Sequence, residues 1–231
     1  MTSLKTTPTA PAHSEFARGR LVGAAAIAFS VLWMTENVLF AATGPPDYSA
    51  PIEEVLAYYA ANRDAVAIVS GLVALYLPLL LVFVTGLHGL VERRGGAGAD
   101  WSRLALAAGA TLSATFTLFN ATQIGIVISA GRLTEPTPAF ELVWQIHAAA
   151  FGLALPMLGA TCIGGALAAH ASGLTPAWQR VLGLVGGSLL LAAGLGNLAV
   201  ADGSPLIFVG LLGFALWIAW LLATGVRLVR A

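Results

Sequence analysis

The sequence predicts an all-α protein, a polytopic membrane bundle of six transmembrane helices. Of its 231 residues 58% are hydrophobic and only 10% are charged, whereas a soluble domain carries about 25% charged residues. The mean hydropathy of +0.85 agrees with a membrane protein. Six mostly apolar segments reach the length of about 20 residues that a spanning helix needs. In chain order they run near 20–42, 64–90, 103–130, 141–169, 180–201 and 205–226.

The start of the chain divides into a tail and a first spanning helix. Residues 1–17 are rich in Thr, Pro, Ala and Ser and lack apolar periodicity, which predicts a disordered cytoplasmic tail and leaves 18–231 as the transmembrane domain. Arg18 and Arg20 precede the first apolar run, as they would in a signal peptide. That run exceeds the apolar core of about 7 to 15 residues that signal peptides have. It is therefore predicted to be retained as a spanning helix.

The basic residues predict the orientation in the cell membrane. If the N-terminus is cytoplasmic, nine basic residues fall inside and two outside, which matches the positive-inside rule. Both termini are therefore predicted to be cytoplasmic. The inside set is Lys5, Arg18, Arg20, Arg93, Arg94, Arg103, Arg180, Arg227 and Arg230, and the outside set is Arg63 and Arg132.

Prolines predict a short outer helix and two bent spanning helices. Pro51 can open a helix whose first turn carries Glu53 and Glu54. One apolar face would place this helix on the outer membrane surface. Pro78 and Pro156 lie near the middles of the second and fourth spanning segments, where each removes a backbone hydrogen bond and bends the helix. The apolar face of the short helix consists of Ile52, Val55, Leu56 and Tyr59.

An arginine and an asparagine recur 17 residues apart in three of the apolar segments. A helix of that length covers about 25 Å, so each amide would lie at the same depth near the outer interface. A shift of 77 residues also superposes the second and third segments on the fourth and fifth. The pattern predicts parallel hairpin repeats. The pairs are Arg20 and Asn37, Arg103 and Asn120, and Arg180 and Asn197.

Further polar residues cluster at the depth of these asparagines. A carboxylate inside the membrane costs about 2.5 to 3.5 kcal/mol, so it normally faces the bundle interior. The sequence therefore predicts a polar pocket in the outer half of the bundle, with Glu36 and His147 as candidate catalytic residues. The predicted ligand-binding residues are Asn37, Asn120, Gln123, Gln145 and Asn197.

These polar groups also have a purely structural interpretation. Each asparagine lies on a face of small residues, where helix backbones approach closely, and an interhelical hydrogen bond contributes about 0.6 to 2 kcal/mol. Glu36 and His147 would either form an acid/base pair, or Glu36 would stay protonated and donate to an amide. Both the structural and the functional interpretation stay open at this point.

Several classes of function have no support in the sequence. It contains no Walker loop, HExxH, GxSxG or paired CxxC motif. The single cysteine, Cys162, supplies no metal-ligand spacing, and His88 and His147 lie at different depths, which argues against a haem. No metal or other cofactor is expected. Eleven basic and eleven acidic residues balance, so the lipid bilayer is the expected partner and a nucleic acid is not.

Three stretches of the chain resemble a known family. They are the first helix with its basic start at Arg20 and its single acid at Glu36, the segment QIHAAAFGLALP around His147, and the segment LTPAWQRVLGLVGGSLLLAAGLGN. In these stretches the chain resembles the bacterial six-helix membrane proteins grouped as the DUF4386 family, a domain of unknown function. The resemblance implies a polytopic membrane protein and supplies no mechanism.

Two functions fit the predicted pocket. The favoured one is a non-enzymatic protein that binds or passes a small amphiphile or lipid through a pocket open to the outer leaflet. The alternative is a membrane enzyme resembling a terpene cyclase, in which Glu36 acts as general acid on an isoprenoid or lipid and His147 as base. An enclosed cavity lined by aromatic residues would favour the enzyme, and a lateral opening between helices would favour lipid binding.

Overall fold

The protein is a bundle of six long helices with two short ones. The computed structural model describes residues 10–231, and within that range every regular element is helical. Six long helices are apolar enough to cross a membrane, which confirms the predicted fold class and makes this a multi-pass membrane protein. In order, the helices are α1 (Ala10–Ala42), α2 (Ile52–Ala61), α3 (Arg63–Arg93), α4 (Ala99–Ala130), α5 (Pro138–Ala171), α6 (Ala177–Leu195), α7 (Asn197–Ala201) and α8 (Ile207–Arg230).

The long helices form a closed ring. Each packs chiefly against its neighbours in chain order, from α1 and α3 through to α6 and α8, and α8 returns to α1. At the point of closure Arg20 Nε donates to the carbonyl oxygen of Val229 at 3.4 Å. The start of α1 therefore lies beside the end of α8, at one end of the bundle.

Small residues bring the helix backbones close together at several crossings. A Cβ added at Gly23 of α1 would lie 2.6 Å from the carbonyl oxygen of Gly225 in α8. A Cβ at Gly187 of α6 would lie 2.8 Å from the carbonyl oxygen of Gly159 in α5. No side chain fits in these spaces, so the predicted role of small residues in helix packing is confirmed at these crossings.

A cluster of aromatic rings crosses the middle of the bundle, and we call it the aromatic plug. Its centre is Trp33, which stacks on Tyr76 at 5.4 Å between ring centroids and meets Phe214 at 4.9 Å. The plug separates a closed half, which contains the start of α1 and the end of α8, from a cavity half at the other end. The plug consists of Phe29, Trp33, Tyr76, Phe116, Phe214 and Trp217.

The fifth spanning segment differs from its prediction. It was expected to be continuous over 180–201, but α6 ends at Leu195 and α7 begins at Asn197. Gly196 between them has non-helical angles, and a Cβ there would lie 2.3 Å from a methyl carbon of Leu206. The chain preceding α8 therefore packs directly on this break. Arg180 and Asn197 lie on separate helices, so the third arginine–asparagine pair differs from the pairs in α1 and α4.

The short outer helix begins where it was predicted, whereas the first helix begins earlier than predicted. The helix α2 follows Pro51 as predicted, but its Tyr59 is only 1% exposed because α2 packs inward on α4. The apolar face of α2 is therefore directed into the bundle, and a location on the outer membrane surface stays a prediction. At the start of the chain, α1 already begins at Ala10, within the segment predicted to be disordered. The remainder of that prediction, residues 1–9, lies outside the described residues.

Candidate functional site

The cavity half encloses a space of about 560 Å³. This volume lies in the range of about 300 to 1,000 Å³ that small-molecule pockets have. Helices α1, α4, α5 and α8 form its walls, and the segment 43–51, which we call the lid loop, covers it together with α2. Four of the seven predicted site residues line this single cavity. They are Glu36, Asn37, Gln123 and His147.

Helix α1 contributes a polar pair to the wall. Trp33, Asn37 and Phe40 are spaced four and three residues apart, which places them on one helix face together with Glu36. Asn37 Nδ2 donates to the carbonyl oxygen of Trp33 at 2.9 Å and to Glu36 Oε2 at 3.0 Å. A carbonyl oxygen can only accept, so the amide nitrogen is the atom that faces it. The Oδ1 atom of Asn37 remains as an acceptor.

Helix α5 contributes His147, which lies in a stack of aromatic rings. Its ring lies 3.9 Å from that of Phe119 at an angle of 23°, and 5.5 Å from that of Trp144 at 19°. The side chain is only 2% exposed. Stacking on both neighbours therefore fixes the orientation of the imidazole.

Hydrogen bonds also fix the tautomer of His147. Its Nδ1 lies 3.1 Å from the carbonyl oxygen of Phe119 and 3.2 Å from the hydroxyl of Thr122. The hydroxyl of Thr122 lies 2.7 Å from the same carbonyl. Since that oxygen only accepts, Nδ1 carries the proton. The neutral ring therefore has its free lone pair on Nε2.

Gln123 of α4 and Tyr59 of α2 join at the cavity wall. Gln123 is 3% exposed, and its side chain hydrogen-bonds the hydroxyl of Tyr59. Burial raises the pKa of Tyr59, and the hydrogen bond from Gln123 opposes part of that increase. Tyr59 therefore stays a neutral phenol at physiological pH. This contact attaches α2 to the wall.

The lid loop inserts an aromatic ring above His147. The ring of Tyr48 lies 5.4 Å from that of Trp144 and 5.7 Å from that of Phe151, and burial raises the pKa of Tyr48. The loop is held from the far side by Gly203, whose φ is +81° and whose missing Cβ would lie 2.7 Å from Ser49 Cβ. Only glycine satisfies both conditions without strain. The turn before α8 therefore supports the lid.

A turn within the lid places a carboxylate at the mouth of the cavity. Asp47 Oδ1 accepts from the backbone N–H of Ser49 at 2.9 Å and from its hydroxyl at 2.7 Å. Asp47 is exposed and also lines the cavity. At the start of the loop, the hydroxyls of Thr43 and Tyr58 hydrogen-bond to each other.

Three predicted site residues do not line the cavity. Asn120 Nδ2 donates to the backbone oxygen of Ser70 in α3 at 3.4 Å. Gln145 is exposed because it precedes His147 by two residues, which turns it almost to the opposite side of α5. Asn197 follows the break after α6 and packs through its backbone and Cβ on Gly152. The asparagines thus occupy three different environments.

Glu36 and His147 line the same cavity from α1 and α5 but make separate contacts. Glu36 hydrogen-bonds Asn37, while His147 bonds to α4. Among the described residues, no direct hydrogen bond joins the two side chains. A water-mediated contact between them stays a prediction.

The aromatic lining was not part of the sequence prediction. Its signal was present, because Trp144, His147 and Phe151 are spaced three and four residues apart and so share one face of a helix. The same spacing joins Phe116, Phe119 and Gln123 in α4. The prediction used only the polar residues, which indicate where along the helices the site lies. The aromatic faces of α4 and α5 would also have indicated which residues form the cavity walls.

Comparisons with protein-family models, curated proteins and solved structures find no match for this chain. The resemblance to the DUF4386 family therefore stays a prediction that rests on the sequence motifs. Over residues 10–231, no group of three or more His, Cys, Asp or Glu side chains lies close enough to hold a metal ion.

Proposed function

We propose that this protein binds a small amphiphile in the cavity half of the bundle. The observation that carries the proposal is the convergence of Glu36, Asn37, Gln123 and His147 on one cavity of about 560 Å³ whose remaining walls are largely aromatic. Pockets that combine apolar walls with a few fixed polar groups are typical of small-molecule sites. The apolar body of the ligand would contact the rings, and its polar group would meet the four side chains.

The aromatic plug favours binding over passage through the bundle. The cavity ends at Trp33, Phe116 and Phe214. Trp33 alone contacts five other rings, and each aromatic pair contributes about 0.5 to 1.5 kcal/mol beyond its buried area. A continuous path would require most of these contacts to separate. A site that opens at one end needs no such rearrangement.

The cavity is proposed to open on the outer side of the cell membrane, with both termini cytoplasmic. The basis is the excess of arginine at the end of the bundle opposite the cavity, as the positive-inside rule requires. Thr134 and Ala97 are exposed and lie at opposite ends. A Thr134→Cys protein in intact cells should react with a membrane-impermeant thiol reagent, whereas Ala97→Cys should not. The reverse result would invert the orientation, and the buried native Cys162 gives little background.

Native mass spectrometry of the protein extracted with its lipids tests the proposed binding. Ala154 is buried and lines the cavity, so Ala154→Leu should displace a bound small molecule. Ala149→Leu is the matched control, because Ala149 is exposed on the same helix. The native protein and the control should carry the same bound mass. A ligand retained equally by all three proteins, or absent from all three, would contradict a site in this cavity.

A membrane enzyme is the second candidate function. It is favoured by the enclosure of Glu36 and of the fixed His147 ring within one aromatic-lined space. Glu36 would donate a proton to an isoprenoid or lipid, and Nε2 of His147 would accept one. Incubation with uncharged isoprenoids and with membrane lipids, followed by product analysis, would separate an enzyme from a binding protein. Under this hypothesis Glu36→Gln abolishes turnover while substrate still binds.

A further inference from the structure

Three polar side chains of the cavity, Asn37, His147 and Glu36, offer acceptor atoms to a ligand. The amide nitrogen of Asn37 is occupied by the carbonyl of Trp33 and the carboxyl of Glu36, which leaves Oδ1. The proton of His147 is on Nδ1 and is used by the carbonyl of Phe119, which leaves the lone pair on Nε2. Glu36 adds carboxyl oxygens. These groups are matched by a ligand that donates hydrogen bonds or carries positive charge.

The charge around the cavity has one sign. Glu36 lies in the wall and Asp47 at the mouth, and no described lysine or arginine lines the space. A phosphate or carboxylate headgroup would therefore have no cationic partner there and would face two carboxyl groups. Burying a charge without a partner is strongly unfavourable, so an anionic ligand does not fit this lining.

The aromatic walls add a second feature that suits a cation. The π-face of an aromatic ring attracts a cation within about 6 Å of its centroid, most strongly for tryptophan, and the attraction grows when water is excluded. Trp33 and Phe40 lie on the same face of α1 as Glu36, and Trp144 lines the opposite wall with one of its faces stacked on His147. Rings and a carboxyl group thus surround the same space.

We propose that the ligand is an organic cation, an alkyl- or arylammonium whose charge lies beside Glu36 and against the aromatic faces. This inference rests on the proposed binding function and specifies the chemical class of its ligand. The apolar part of the cation occupies the space between the plug and the lid. A neutral amphiphile is the competing occupant, and its binding would not depend on a Glu36 carboxylate.

Two probes of equal shape test the charge. Benzyltrimethylammonium carries the charge, and neopentylbenzene replaces its nitrogen by carbon. Binding of each labelled probe is measured by equilibrium dialysis against the full-length protein in nanodiscs, with empty nanodiscs subtracted. Glu36→Gln keeps the shape of the side chain and removes the carboxylate with which the cation would pair. Glu92→Gln is the matched control, since Glu92 is exposed in the closed half beside Arg103.

The expected result is specific to the charged probe. Glu36→Gln should weaken binding of benzyltrimethylammonium by about tenfold or more, the equivalent of losing one desolvated charge contact, and should leave neopentylbenzene unchanged. Glu92→Gln should bind both probes as the native protein does, and Ala154→Leu should weaken both.

Other outcomes separate the two proposals. If Glu36→Gln leaves binding of the cation unchanged, or weakens both probes equally, the cation assignment is overturned. If only neopentylbenzene binds to the native protein, the cation assignment falls while the pocket stands. If neither probe binds, both proposals fall.

Discussion

The two halves of the bundle are built from the same helices and differ in how α5 packs against its neighbours. In the closed half, α5 carries glycine and alanine. A Cβ at Gly164 would lie 2.8 Å from the backbone oxygen of Trp101 and 2.9 Å from the backbone nitrogen of Ala105. In the cavity half, the same helix presents Trp144 and Phe151. Gly164 of α5 lets the backbone of α4 approach in the closed half, whereas Trp144 and Phe151 of α5 line the open space in the cavity half. A cavity therefore arises from the residue pattern without any change of topology.

The largest expected effect comes from removing the boundary between the halves. Trp33→Ala takes away the ring at the centre of the aromatic plug and should destabilise the protein by about 3 to 5 kcal/mol, the usual cost of truncating a buried aromatic residue. Unfolding in mixed micelles titrated with sodium dodecyl sulfate measures the change. Trp178→Ala is the control, because Trp178 is 58% exposed, and its effect should stay within about 0.5 kcal/mol. If both substitutions lower the stability equally, the aromatic plug does not stabilise the bundle.

A smaller effect is expected where the closed half has no room. Gly164→Ala places a methyl group against backbone atoms of α4, which cannot rotate away, and should cost about 1 to 3 kcal/mol. Gly125→Ala in α4 meets nothing within 4 Å and should be neutral or stabilising by up to about 1 kcal/mol. Thermal unfolding in detergent compares the two proteins. The same loss in both would mean that backbone contact does not limit this half.

One substitution made in both halves tests the comparison directly. Ala154→Leu adds its volume to the cavity and should change stability by less than about 1.5 kcal/mol. Ala166→Leu adds the same volume beside Gly183, where a Cβ would already lie 2.3 Å from Ala166, and should cost about 1 to 3 kcal/mol. The midpoint of thermal unfolding should fall further for Ala166→Leu. The opposite order would show that the cavity half is the tighter one.

The smallest expected effect concerns the support of the lid. Gly203 and Gly173 both have positive φ, at +81° and +71°, but only Gly203 has a neighbour, Ser49, within reach of a Cβ. Gly203→Ala should raise hydrogen exchange in residues 43–51, while Gly173→Ala, which costs about 1 kcal/mol in backbone strain alone, should not. Exchange measured by mass spectrometry distinguishes them. If the lid loop is equally protected from exchange in both variants, the turn before α8 does not support it.

The sequence predicts the fold through length and composition. Six apolar runs specify the six spans, and Pro51 specifies the start of α2. The break at Gly196 was not predictable, because residues 181–201 contain no proline or charged residue that would mark it. The residue that packs where Gly196 lacks a side chain is Leu206, which lies outside this segment. The length of an apolar run gives no information about such a long-range contact.

The sequence indicated where along the helices the candidate site lies, but only partly which side chains face the cavity. Glu36, Asn37, Gln123 and His147 line the cavity, whereas Gln145 faces outward, although it is two residues from His147. The difference depends on the rotation of α5 about its axis, which α4 and α6 determine by packing. The lid depends on the contact between Ser49 and Gly203, which are far apart in the chain. Such contacts leave little trace in local periodicity.

Trp33 and Glu36 lie one turn apart on a single rigid helix. Helix α1 is continuous from Ala10 to Ala42, so it has no joint between the ring that closes the base of the cavity and the carboxyl group in its wall. Any turning of α1 about its axis moves both side chains through the same angle. Trp33 at the base of the cavity and Glu36 in its wall therefore move together. A rotation of α1 that displaces Trp33 from the aromatic plug also moves Glu36 away from a bound ligand.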